Sequence, residues 1–222
     1  MTELTPQVVA LGITYYVVLL FSVSFHEAAH AWAALRMGDD TAQREGRISL
    51  NPLVHIDPIG TVAMPLLQFL FSGALWLAWA KPTPYNPANF RRDVTLSRGH
   101  VMVAAAGPVS NLLLALAFAG ALFGIARSGL LDQAGVALLK VLATGIQLNV
   151  ALMLFNLVPI PPLDGSKVAA FGLPGGLGQR YAAAVEGFGP WLLLLLLLPV
   201  SRLIAPANDY LTILLIELAA GR

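Results

Sequence analysis

The chain has 222 residues, 57% of them hydrophobic and only 11% charged, with a formal net charge of +1. Soluble domains carry about 25% charged residues, so this composition belongs to a membrane protein, and the near-neutral charge gives no basis for nucleic-acid binding. The absence of cysteine removes disulfides, thiolate metal sites and cysteine nucleophiles.

In chain order, residues 8–35 form a first apolar block, long enough to cross a bilayer and ending at Arg36 and Gly38. Residues 1–6 lack the basic region of a cleavable signal peptide, so this block is expected to be retained. The polar stretch 39–58 contains R-I-S-L-N-P, which reads as a short strand and turn. Block two, residues 61–80, holds Pro65 and Gly73 and leads to a proline-rich loop over 81–87. Blocks three and four cover 100–126 and 134–157, and block five covers 182–200 with a leucine run over 192–198. A weaker block, 203–220, is interrupted by Pro206, Asn208 and Asp209 and reads either as a sixth span or as an interfacial helix. The expected fold is an all-α polytopic membrane protein with five to six transmembrane helices. Blocks one, three and four should form a three-helix core, with a small re-entrant or β-hairpin element before block three. A single membrane domain over 1–222 is expected, with no separate soluble domain.

The first block contains F-H-E-A-A-H. His26 and His30 are one helical turn apart on one face. Both imidazoles can reach one metal ion, and Glu27 can address a water bound to it. A charged residue at a membrane helix centre costs about 2.5–3.5 kcal/mol on insertion scales, so an unused polar cluster is penalised there. The competing reading is a histidine pair that bridges helices by hydrogen bonds. The candidate third ligand is Asp164, in N-L-V-P-I-P-P-L-D-G. Pro159, Pro161 and Pro162 cannot continue a helix, and irregular backbone at membrane depth must be buried in protein or line a cavity. A carboxylate on such a segment can reach a metal on a neighbouring helix; the alternative is an interfacial turn at Asp-Gly. His55 and His100 read as interfacial or structural, and Trp76 and Trp79 as interface markers.

Together F-H-E-A-A-H, A-G-P-V-S-N at 106–111 and N-L-V-P-I-P-P-L-D-G resemble the site-2 protease family of intramembrane zinc metalloproteases, in order and separation. The resemblance covers residues 8–167, the expected catalytic core, with C-terminal helices over 182–220; no PDZ insertion or CBS pair accompanies it. It implies one zinc per chain held by His26, His30 and Asp164, with Glu27 as catalytic base. It also implies that Asn156 positions substrate or stabilises the oxyanion. The implied substrate is a transmembrane protein, cleaved in or near its membrane segment after local unwinding. Strand addition could hold the unwound stretch, with residues 46–50 or 60–65 as the candidate edge. A bacterial inner-membrane location follows from the same resemblance.

Residues 1–7 carry no Lys or Arg, whereas Arg36, Arg44 and Arg47 follow the first block, so its C-terminal end should be cytoplasmic. His26 then lies inside the membrane, about 15 Å of helix from that end. A full crossing by block two would leave Asp164 a bilayer away from His26, and Lys81, Arg91, Arg92 and Arg98 outside. Residues 61–80 are therefore expected to enter and leave on the cytoplasmic side. Two other classes remain open: a transporter using the His/Asp site, for which no internal repeat is found, and an inactive protease-like scaffold, although all four groups are present. Oligomeric state and substrate identity are not legible.

Overall fold

In the computed structural model the described residues are 5–73, 78–185 and 189–221, the side chains of 189–194 and 197–198 excepted. Helix α1 runs over Pro6–Met37. Its start is set by the Thr5 hydroxyl, which accepts the Val8 amide, and by Pro6, which occupies a position whose amide needs no partner. Its end is set by Gly38, at φ 111°, where the Gly38 and Asp39 amides close on the Leu35 and Ala34 carbonyls.

A single turn, α2 (Thr41–Arg44), follows. After a π-helical turn over Pro58–Ala63 comes α3 (Met64–Ser72). Then come α4 (Leu96–Arg127), α5 (Gly135–Asn156), α6 (Asp164–Gly172), α7 (Leu177–Val185) and α8 (Gly189–Ala220).

The all-helical expectation holds, with two differences. Among the described residues no strand forms, and residues 60–65, one candidate edge, are helical, so much of their backbone is bonded internally. Among the described residues four segments are long and apolar enough to cross a membrane, where five to six were expected: Pro6–Met37, Leu96–Arg127, Gly135–Asn156 and Pro199–Ala220. The apolar helix Pro58–Ser72 extends only about 22 Å at 1.5 Å per residue, short of a hydrocarbon core of about 30 Å. Blocks five and six merge because Pro199 and Pro206 lie inside α8 without ending it, as membrane helices tolerate when neighbours satisfy the freed carbonyls.

Helices α1, α4 and α5 pack as the expected three-helix unit. α4 runs antiparallel to α1, with Ala33 and Ala34 on Val103 at one level and His26 opposite Asn111 further in. α5 returns alongside both, placing Leu148 on Val18 and Leu19 and Asn149 beside Ser22. Small residues permit this approach: a Cβ on Gly145 would lie 2.6 Å from the Phe118 ring. α8 covers the outer side of α4 and α5 through Ala219, Leu211 and Leu215, on a core of Ala115, Ala119, Leu122, Leu142, Ile146 and Val150.

The segment between α1 and α4 returns to its own starting point. The Lys81 amide donates to the His55 carbonyl at 2.9 Å, the Trp79 amide to Gly60 at 3.2 Å, and the Thr61 hydroxyl to Trp79 at 2.8 Å. Arg47, 2% exposed, ties both limbs by donating to the Val54, Lys81 and Pro82 carbonyls. Asp39 fastens the base of this loop to α1. Its Oδ1 accepts from the Thr41 amide and hydroxyl and from Asn89 Nδ2, its Oδ2 from the Asn86 amide, and Arg91 N–H closes on the Met37 carbonyl. Trp79 is 42% exposed, and Trp76 lies outside the described residues.

Candidate metal centre

The chain brings His26, His30 and Asp164 together from α1 and the first residue of α6. His26 Nε2 and His30 Nε2 are 3.0 Å apart, and each is 3.1 Å from Asp164 Oδ2. All three residues are buried. The helical spacing of the histidines was legible in advance; the arrival of Asp164 depends on the turn before it. Instead of one extended segment, residues 157–163 form successive tight turns, with the Ile160 amide on Val158 and the Leu163 amide on Ile160. Gly165 permits the return, since a Cβ there would lie 2.2 Å from the Leu157 carbonyl oxygen.

The histidines' other nitrogens are committed elsewhere. His30 Nδ1 lies 2.7 Å from the Val103 carbonyl, which can only accept, so Nδ1 donates and Nε2 of the neutral ring keeps its lone pair. His26 Nδ1 donates to Asn111 Oδ1 at 2.6 Å. Such partners on the far nitrogen orient ligating imidazoles in metal sites and fix their tautomer. Three lone-pair atoms therefore converge at about 3 Å, close to the roughly 3.3 Å separation of ligands in a tetrahedral zinc centre. Space is kept for an ion by Gly107 of α4, where a Cβ would lie 2.5 Å from both Nε2 atoms. The donor set and this cradle fit a zinc ion, which His26, His30 and Asp164 are able to hold.

Glu27 is half-buried next to His26, and its Oε2 accepts the Thr83 amide at 2.9 Å, while the Thr83 hydroxyl donates to the Glu27 carbonyl at 3.0 Å. The proline-rich loop thus holds the candidate base, a role its sequence did not announce. Asn156 is not drawn into the cluster: at the end of α5, its amide donates to the Leu152 carbonyl at 3.0 Å. His55 bonds the Ser49 carbonyl, and His100 bonds the Tyr85 hydroxyl and stacks on Phe171, both in structural roles as expected. Sequence reasoning placed Asn111 in the A-G-P-V-S-N motif without a role and missed Asn149; each is 0% exposed. The signal available for them was polarity inside apolar helices. A groove of about 310 Å³ runs beside the centre, lined by Phe25, Ala28, Ala29 and Trp32 of α1, residues 48–50, and Ser110 of α4.

Long apolar helices around a buried His/His/Asp cluster define a polytopic membrane protein of the metallohydrolase type. The comparisons make this narrower. The chain is 38% identical over 189 residues to "Putative zinc metalloprotease YwhC" of Bacillus subtilis, covering 81% of this chain and 78% of that protein. It is 31% identical over 146 residues to "Putative zinc metalloprotease Rip2" of Mycolicibacterium smegmatis and 34% over 149 residues to Rip2 of Mycobacterium tuberculosis. Each Rip2 alignment covers 66% of this chain and 52% of the relative, so the chain spans about half the length of those proteins. No family model and no solved structure matches the chain. The chain belongs to the site-2 protease family of zinc metalloproteases.

Proposed function

We propose that this protein is an intramembrane zinc endopeptidase that cleaves membrane proteins in or near their transmembrane segments, with one zinc on His26, His30 and Asp164. The observation that carries the reading is the convergence of two bare imidazole nitrogens and a carboxylate oxygen within 3.1 Å, with both histidines on a helix apolar enough to span a membrane.

Bound zinc supplies Lewis acidity and acidifies water at neutral pH. Glu27 takes the proton from the attacking water and returns it to the leaving amine. Thr83 N–H fixes Oε2 of that carboxylate, which leaves Oε1 for the proton. Asn156 spends one amide hydrogen on Leu152 and keeps the second for a developing oxyanion. The substrate enters as an unwound strand beside residues 48–50. Among the described residues the amides and carbonyls of Ile48 and Leu50 bond no other backbone group, and these residues line the groove next to α1, the arrangement that strand addition requires.

The active site faces the cytoplasm of a bacterial inner membrane. The return of Trp79 and Lys81 to Gly60 and His55 supports entry and exit of that segment on one side, and the arginines after α1 orient it. In the cysteine-free chain, a single cysteine at Asn89 should resist impermeant thiol reagents applied outside intact cells, and one at Ser128 should react. External labelling at 89 would overturn the topology.

The test of the activity is a detergent-purified protein assayed for zinc and for cleavage of transmembrane peptides. About one zinc per chain and endoproteolysis are expected in the wild type, and Asp164→Ala should lose both, because two histidines alone hold zinc poorly. Zinc and activity that survive Asp164→Ala would reduce Asp164 to a turn residue. Ion flux without peptide cleavage would favour a transporter.

A further inference from the structure

A chain of buried side chains leads away from the metal centre. Asn111 Nδ2 donates to Asn149 Oδ1 at 2.9 Å, and Asn149 Nδ2 donates to Ser22 Oγ at 2.9 Å and to the Gly145 carbonyl at 2.8 Å. Ser22, Asn111 and Asn149 are all 0% exposed. The direction of these bonds is not arbitrary. The Gly145 carbonyl can only accept, so the nitrogen end of Asn149 must face it and its oxygen must face Asn111. Asn111 then has to present its nitrogen to Asn149 and its oxygen to His26. An oxygen at His26 Nδ1 requires Nδ1 to carry the proton, which leaves Nε2 bare.

Reversing Asn111 would set its oxygen against the Asn149 oxygen. Reversing Asn149 as well would set its oxygen 2.8 Å from the Gly145 oxygen, two acceptors in contact within a buried site where no water can satisfy them. The Ser22 hydroxyl can donate or accept and so sets no direction.

We propose that Asn149 is a positioning residue for the metal centre: acting through Asn111, it fixes which nitrogen of His26 bears the proton and which is free to ligate. This rests on the zinc reading of the His26, His30 and Asp164 cluster. Asn149 hydrogen-bonds to Asn111, Ser22 and the Gly145 carbonyl and to none of the three ligands. It acts as the anchor, and the α5 backbone carbonyl it grips is the fixed reference for the whole chain.

The experiment measures zinc affinity of the purified full chain by chelator competition. Asn111→Leu and Asn149→Leu should each weaken binding by about 10–100-fold, the usual effect of losing a partner behind a metal ligand. The double variant should bind no more weakly than Asn111→Leu alone, since both changes break one path. Ser22→Ala should stay within about threefold of wild type, because the hydroxyl sets no direction. Wild-type-like affinity in Asn149→Leu, or losses that multiply in the double variant, would overturn the relay.

Should Asn149→Leu fail to fold, nitrogen NMR of zinc-loaded wild type with labelled histidine decides alone. Metal on His26 Nε2 with a proton on Nδ1 is expected, and metal on Nδ1 refutes the proposal. Failure of the zinc reading looks different: the wild type, like a His30→Ala variant, would hold no zinc at all. Tight wild-type binding that is indifferent to Asn149 would sink the relay and leave the zinc reading standing.

Discussion

Two buried carboxylates, Asp39 and Asp164, are treated in opposite ways. Asp39 receives a donor at every turn: the Thr41 amide and hydroxyl, Asn89 Nδ2 and the Asn86 amide. Asp164 Oδ2 instead faces two histidine nitrogens at 3.1 Å, and the protons of those rings point to Val103 and Asn111. A saturated carboxylate is a fastener and needs nothing more. Three acceptors that point at one another call for a cation. Satisfaction of donors and acceptors, more than burial or charge, therefore separates the part that holds the chain together from the part suited to chemistry.

The sharpest way to break this contrast is at the base. Glu27→Gln keeps the bond from Thr83 yet cannot take a proton, so peptide cleavage should fall by about 10²–10⁴-fold with zinc content unchanged. Near-normal turnover would remove Glu27 from the reaction. A second change attacks the space between the acceptors. Gly107→Ala sets a methyl 2.5 Å from both Nε2 atoms, and zinc affinity should fall by about tenfold or more, as expected for displaced ligands. Equilibrium dialysis against zinc would read this, and undiminished affinity would show that the cradle is elsewhere.

On the fastening side the effects are smaller and fall on stability. Gly38→Ala forces a left-handed backbone and meets the Arg91 backbone nitrogen at 2.8 Å, for a loss of about 1–3 kcal/mol, measured by denaturant unfolding in mixed micelles. Asp39→Asn should cost about 1 kcal/mol, and its pH dependence gives a finer test. Burial pushes the Asp39 carboxyl up, but the hydrogen bonds from Thr41, Asn89 and Asn86 together outweigh it and hold the group below its ordinary value of 3.8. For a carboxyl lowered in the folded state, the added stability is present above the unfolded value and fades as pH falls through the folded one. The gap between wild type and Asp39→Asn should therefore be constant at neutral pH and narrow below about pH 3.8. A gap that widens in acid would contradict the assignment.

Much of the molecule follows from local rules that a sequence exposes. The apolar length of α1, its Thr5 and Gly38 ends and the one-turn spacing of His26 and His30 all depend on neighbours within a few residues. The number of membrane helices was not legible, because a proline breaks or merely bends a membrane helix according to what packs beside it. Nor were the strand guesses, since the backbone at 60–65 satisfied itself in a helical turn instead of an edge.

The candidate ligands could be named from motifs, but their convergence is a tertiary fact. Asp164 reaches the histidines only because 157–163 turn tightly against Gly165. Thr83 and Asn149 lie in no motif, and Asn111 closes A-G-P-V-S-N without the motif naming its partner; all three matter through the atom each one faces, on a segment 38 to 127 residues away for the asparagines. Sequence determined which side chains could bind a metal, because that is a property of atoms and helical spacing. Only the packing of α1, α4, α5 and α6 decided which nitrogen of each histidine is left bare, because a tautomer is set by the partner across the interface.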